Sequence, residues 1–261
     1  AQAPTASASS GVSGETLNIT RTTGTNAGSY TSTATLSSVT GGQALASNYT
    51  LTGTTKAFKI NKATPTLTLS ATSGTVNAGS TVTFTEKASV AGNFSNVSGT
   101  TSVATVSPAS YTGVAANTAK TVTITGVSNG NSTITVTFTP TDTTNYNTKT
   151  ATYTVTGYKV ATTGTCQSRT YNGASQTLAS GGTGVSYSNN TRTNAGSQEV
   201  TVTTTSGYRF SDNTTSKTLN CSIAKKSVAV SWGSTTTFTY NGSNQAPTAS
   251  ASSGVSGETL N

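Results

Sequence analysis

Histidine and methionine are absent from this chain of 261 residues, and only six residues are acidic. Without histidine no Ser-His-Asp arrangement can form. Hydrolysis by paired carboxylates needs two acids held in one cleft. Here Glu15, Glu86, Asp142, Glu199, Asp212 and Glu258 are scattered along the chain. The same shortage leaves a metal few ligands. Asp142 with Asn145 and Asn147 is the one calcium candidate, and it reads better as a solvated turn, because such sites need several carboxylate oxygens. The Gly-rich stretch Ser180–Gly184 leads into no helical pattern, so it is not a phosphate loop. No apolar run is long enough to span a membrane. Charged residues make up 8% of the chain, against about a quarter in average domains. The net charge of +8 is spread out, with only Lys225 and Lys226 adjacent. That is no nucleic-acid patch. These absences predict a protein that is not an enzyme, with no cofactor and no catalytic or metal-binding residues.

What is present is threonine, 63 residues of it. Threonine and valine suit a pleated, half-solvated surface. They alternate with period two in Thr66–Leu69, Thr81–Phe84, Thr121–Thr125, Thr133–Phe138 and Tyr153–Val155, which is the strand signal. Clusters of Gly, Asn, Ser and Pro separate these runs. No segment has a helical period. Many short strands at close spacing predict an all-β fold of tandem Ig-like β-sandwich domains, and the short joints between them predict an extended rod. The two cysteines, Cys166 and Cys221, lack any metal-ligand spacing. They predict a disulfide in an exported protein.

The chain also repeats itself. Gln2–Asn18 and Gln245–Asn261 are the same seventeen letters, QAPTASASSGVSGETLN, 243 positions apart. A unit that long holds several domains. The boundaries fall at 1–62, 63–157 and 158–226, and residues 227–261 open a second copy of the first block. The first block is expected to lack its opening strand, whose equivalent lies at 226–244. Lys226, Val228, Val230, Trp232, Phe238 and Tyr240 are the expected completing residues. The expectation is a window on a longer repetitive polypeptide. The alternative is a filament subunit completed by strand donation between neighbours.

Blocks one and three share turn signatures. Thr25-Asn26-Ala27-Gly28-Ser29-Tyr30 matches Thr193-Asn194-Ala195-Gly196-Ser197, and Tyr171-Asn172-Gly173 matches Tyr240-Asn241-Gly242. Asn-Gly and Asn-Ala-Gly supply the positive φ that tight turns need. The order YNG, NAGSY, Ser47-Asn48-Tyr49-Thr50 and Phe58-Lys59-Ile60 resembles the MBG-type (YDG-related) domains of large bacterial surface adhesins. Block two, with Phe138–Asn147, is similar to bacterial Ig-like repeat domains. The resemblance implies an extracellular stalk or fibre segment, at the cell surface or secreted, whose partners are neighbouring copies of itself. A second expectation is an adhesive module for surface glycans or another anionic surface, through Tyr158, Tyr171, Tyr187 or Trp232. Core packing is the competing expectation for Trp232, and Tyr30, Tyr49, Tyr153 and Tyr240 are expected to anchor cores or corners. Lys–Asn isopeptide chemistry would need a buried acid near Glu86-Lys87 and Lys149, whereas the acids are mostly expected at the surface.

Overall fold

Residues 1–42 and 45–260 are described by a computed structural model of the chain. The molecule is all-β, as the alternation predicts. Among the described residues the single helical element is a 3-10 turn at Ala46–Asn48.

The middle domain shows how period two becomes a core. One sheet has the order Leu67–Leu69, Thr81–Ala88, Lys120–Gly126, Ala104–Ser107. The facing sheet contains Lys149–Val160, Gly130–Pro140, Gly92–Ser98 and Ser110–Val114, and Ser73–Asn77 lies parallel to Lys149–Val160. Register places Val122 opposite Phe84 and Phe138 opposite Phe94. The threonines face water while Phe84, Phe94, Val122, Ile124, Ile134, Val136, Phe138 and Val155 are sealed between the sheets. Phe84 stacks on Tyr153 at 4.7 Å and Phe94 meets Phe138 at 5.0 Å. Such pairs add about 0.5–1.5 kcal/mol each beyond their buried area.

The third domain is thinner. Its main sheet runs Arg169–Thr170, Ser216–Ala224, Gly196–Thr204, Val185–Ser188. Leu178, Ala179, Val200, Cys221 and Ile223 form one small core. Ala161, Val202 and Phe210 form another. Cys166 and Cys221 are joined in a disulfide, which ties the short strand Thr165–Cys166 to Ser216–Ala224.

The first domain is a single sheet of three strands, Thr16–Arg21, Gly28–Thr40 and Thr55–Ile60. Tyr30 stacks on Phe58 at 5.3 Å. Yet no hydrophobic side chain described between residues 1 and 62 is fully buried. Leu17, Ile19, Ala34, Leu36, Leu51, Phe58 and Ile60 are all half-buried. They cluster on one side of a sheet that, among the described residues, has no second sheet over it.

The C-terminal segment is the counterpart. Val230–Trp232 pairs antiparallel with Ala249–Ala251. Here the structure departs from the core roles expected of two residues: Trp232 is 68% exposed and Tyr240 is 92% exposed. The reason is physical. Trp232 sits on a two-stranded ribbon, which supplies no opposing layer to bury it, and Tyr240 lies outside any strand.

Candidate functional site: the joints and the open face

The most specific polar contacts between domains lie at the joints. At the first, the loop Asp142–Asn147 works as a clasp. The Asp142 carboxylate accepts from the Thr144 and Asn145 amides at 3.1 and 3.0 Å, and from Asn145 Nδ2 at 2.8 Å. These bonds, with the Asn145 side chain foremost, hold its carboxyl below the usual carboxylate range. The expected calcium candidate is thus a self-satisfied turn. Asn145, once fixed, reaches back to the first domain. Its Oδ1 accepts from the Ala27 amide at 2.7 Å, and its Nδ2 donates to Asn26 Oδ1 at 3.2 Å. Lys62 Nζ donates to the Thr143 carbonyl at 2.6 Å. The Ala63 amide donates to Asn145 O and the Asn147 amide donates to Ala63 O, both at 2.8 Å, which closes the joint.

At the second joint there is no linker at all. The strand Lys149–Val160 runs straight across the boundary placed at Gly157. Its last residues pair in parallel with Tyr208–Arg209 of the third domain. The Lys159 amide donates to Gly207 O at 2.9 Å and the Ala161 amide to Arg209 O at 2.8 Å. Asn77, buried in the middle domain, donates through Nδ2 to Phe210 O at 3.1 Å. Arg209 lies 4.3 Å over the Tyr158 ring, a cation–π contact.

A third contact joins the third domain to the duplicated segment. The Tyr171 hydroxyl bonds to Glu258 Oε1, and Lys226 Nζ donates to Gly254 O at 3.1 Å. Val255 packs over Gly173, where a Cβ would lie 2.3 Å from Val255 Cγ1 and φ is +80°. Tyr171, Ala195, Val228 and Leu260 help to line a recess of about 250 Å³. The shared Asn-Ala-Gly turn therefore does one job twice: Ala27 meets the next domain at the first joint, and Ala195 lines the recess under the duplicated segment.

The expected aromatic sites divide. Tyr158 lies under Arg209, and Tyr171 is bonded to Glu258. The Tyr187 hydroxyl donates to Thr163 O and accepts from the Gly182 amide, both at 2.9 Å. These rings are engaged within the fold, while Trp232 is open. Asp142, Glu199, Asp212 and Glu258 lie at the surface, as expected of most of the acids; Glu86 is the exception, for it is fully buried. Lys87 and Lys149 are exposed, so neither shares its pocket. The signal for Glu86 was legible, because it lies on the same period-two face as Val82, Phe84 and Ala88. Asn145, Asn77 and Arg209 carried no such signal. Their partners are far away in sequence.

A further open feature lies on the first domain. A groove of about 520 Å³ runs beside the extended segment Pro4–Ala8, floored by Ile19, Ser32, Ala34 and Leu51.

No protein-family model matches the chain, and no curated protein matches it. Among solved structures, it is similar to domains 4 and 5 of the S-layer protein SbsC. The identity is 25% over 49% of this chain and 57% of that one, with a TM-score of 0.29. A longer piece of the same S-layer protein, rSbsC(31-844), matches 87% of this chain and 25% of its own length at 16% identity and TM-score 0.31. A chaperone–tip adhesin complex of CFA/I fimbriae matches 62% of this chain and 83% of that one, at 14% identity and TM-score 0.29. The chain thus spans 57% or less of the S-layer chains named here.

Proposed function

We propose that the chain is a structural unit of a repetitive extracellular fibre or stalk, at a cell surface or secreted. Its domains are of the MBG-like and bacterial Ig-like kinds that its turn motifs resemble. The observation that carries this reading is the exact duplication of Gln2–Asn18 at Gln245–Asn261, framing domains that are clasped to one another. A protein selected for reach needs stiff joints, and here they are polar clasps and a shared strand, without a flexible Gly/Ser linker. The disulfide fits an oxidising compartment. The work of such a unit is extension and load, and its partners are further copies of the unit.

Small-angle scattering on the chain tests this. A compact body of this length has a radius of gyration of about 18 Å. Three domains in line, each about one 12-residue strand long (~40 Å), give ~30 Å or more. A value near the compact figure, unchanged with salt, would rule out the stalk.

A further inference from the structure

The first domain and the C-terminal segment carry complementary halves of one core. Ala6 and Ala8 are half-buried while Thr5 and Ser7 face water, so residues 5–8 already have the alternation of a strand. They belong to no strand. Beside them lies the open groove floored by Ile19, Ala34 and Leu51. At the other end of the molecule the identical residues are paired. Val230 lies opposite Ala251, Ser231 opposite Ser250, and Trp232 opposite Ala249. These three correspond to Ala8, Ser7 and Ala6 in the first copy.

Directly opposed residues on neighbouring strands point to the same face. Transferred to the first copy, the observed register sends Val230 in over Ala8 and Trp232 in over Ala6, into the groove. Ser231 would point outward beside Ser7. In their present position Val230 and Trp232 are 52% and 68% exposed. An unpaired edge is a template for an added strand, and added strands gain specificity from alternate side chains in pockets.

We propose that this groove is a strand-docking site whose occupant is the Val228–Trp232 segment of a second copy of this sequence. The pairing is one the molecule already makes. What the groove adds is a floor for the two side chains that the C-terminal ribbon leaves in water. The proposal rests on the repeat reading, because it requires more than one unit. Scattering tests that reading without any added strand, so either can fail alone.

Trp232 is the only tryptophan, which makes the test direct. A synthetic peptide of residues 226–244 is titrated into the full chain carrying Trp232→Phe, so that the peptide holds the only indole. The expected result is a saturable blue shift of its emission at one peptide per chain. The same peptide with Val228→Asp and Val230→Asp should give no shift; this arm needs no altered chain to fold. Ile19→Asp or Ala34→Asp in the chain should weaken binding at least about tenfold. Both residues occur outside the duplicated segment, so these substitutions leave Ala249–Ala251 untouched. No shift with the native peptide overturns the proposal. So does a shift kept by the charged peptide, or one indifferent to both groove substitutions, which would place the peptide on the C-terminal ribbon.

Discussion

Glu86 is the residue whose chemistry departs most from a solvated side chain. It is 0% exposed, its Oε1 accepts from Asn96 Nδ2 at 3.2 Å, and its Oε2 has no partner within the protein. Burial pushes its carboxyl up to about 7 from 4.5, and the Asn96 bond opposes this only in part. Folded chains therefore keep a proton that unfolded chains release. The resulting stability is fully present below about pH 4.5 and is lost as pH rises through about 7, by at most ~3 kcal/mol. Thermal unfolding of the middle domain should show it melting higher at pH 4.5 than at pH 8, and Glu86→Gln should flatten that difference. An undiminished slope in the variant would remove Glu86 as its origin. Asp142 and Asp212 act in the opposite sense. Their carboxyls are held low by hydrogen bonds, Asp212 at about 2, so their contribution is present above the ordinary aspartate range and is lost as pH falls below that range through the lowered folded values. Glu15 and its duplicate Glu258 show how context chooses a partner for one residue. Glu15 accepts from the Tyr49 hydroxyl of its own domain and Glu258 from Tyr171 of the preceding one. Each glutamate, through its hydrogen bond, raises the tyrosine it binds.

Among the elements, the Asp142–Asn147 loop and the strand Lys149–Val160 decide how the domains are joined. Asn145→Ala removes the acceptor of the Ala27 amide and the donor to Asn26. It should cost the joint about 1 kcal/mol. Hydrogen exchange would report this as faster exchange at Ala27, with the amides from Gly130 to Thr139 unchanged. Equal loss at both places would mean that Asn145 supports the middle domain as a whole. The strands themselves were legible because their periodicity is local. Thr133–Phe138 carries its inward and outward faces in six letters, and the structure keeps that assignment. The strand's passage into the third domain was not legible. Thr156-Gly157-Tyr158-Lys159 looks like a joint in sequence, since Gly interrupts the alternation. Gly157 is there for another reason: a Cβ would lie 2.2 Å from Ser128 O. Close backbone approach, not chain reversal, demands the glycine.

For the whole molecule, stability is uneven. The middle domain has a two-sheet core, the third has two small clusters and a disulfide, and the first has one face open. Closing a loop of 55 residues contributes about 4 kcal/mol in the chain-entropy model. Reduction should therefore lower the unfolding temperature of the third domain and leave the middle domain where it is; calorimetry with and without reductant separates the two. A third domain that melts unchanged after reduction would refute the entropic role. The repeat was legible as plain identity of letters. The exposure of Trp232 and Tyr240 was not, because burial belongs to the layer that meets a side chain and composition does not reveal whether that layer is there. The parallel pairing of Ser73–Asn77 with Lys149–Val160 has one more consequence. Ser73 lies opposite Thr154 and Asn77 opposite Tyr158. A pull on the two ends of the middle domain, once the three-residue strand Leu67–Leu69 has peeled away, drags these neighbours past each other along their own length. Their bonds then bear the tension together and must break together, so this domain resists a pull as a clamp and does not unzip one bond at a time.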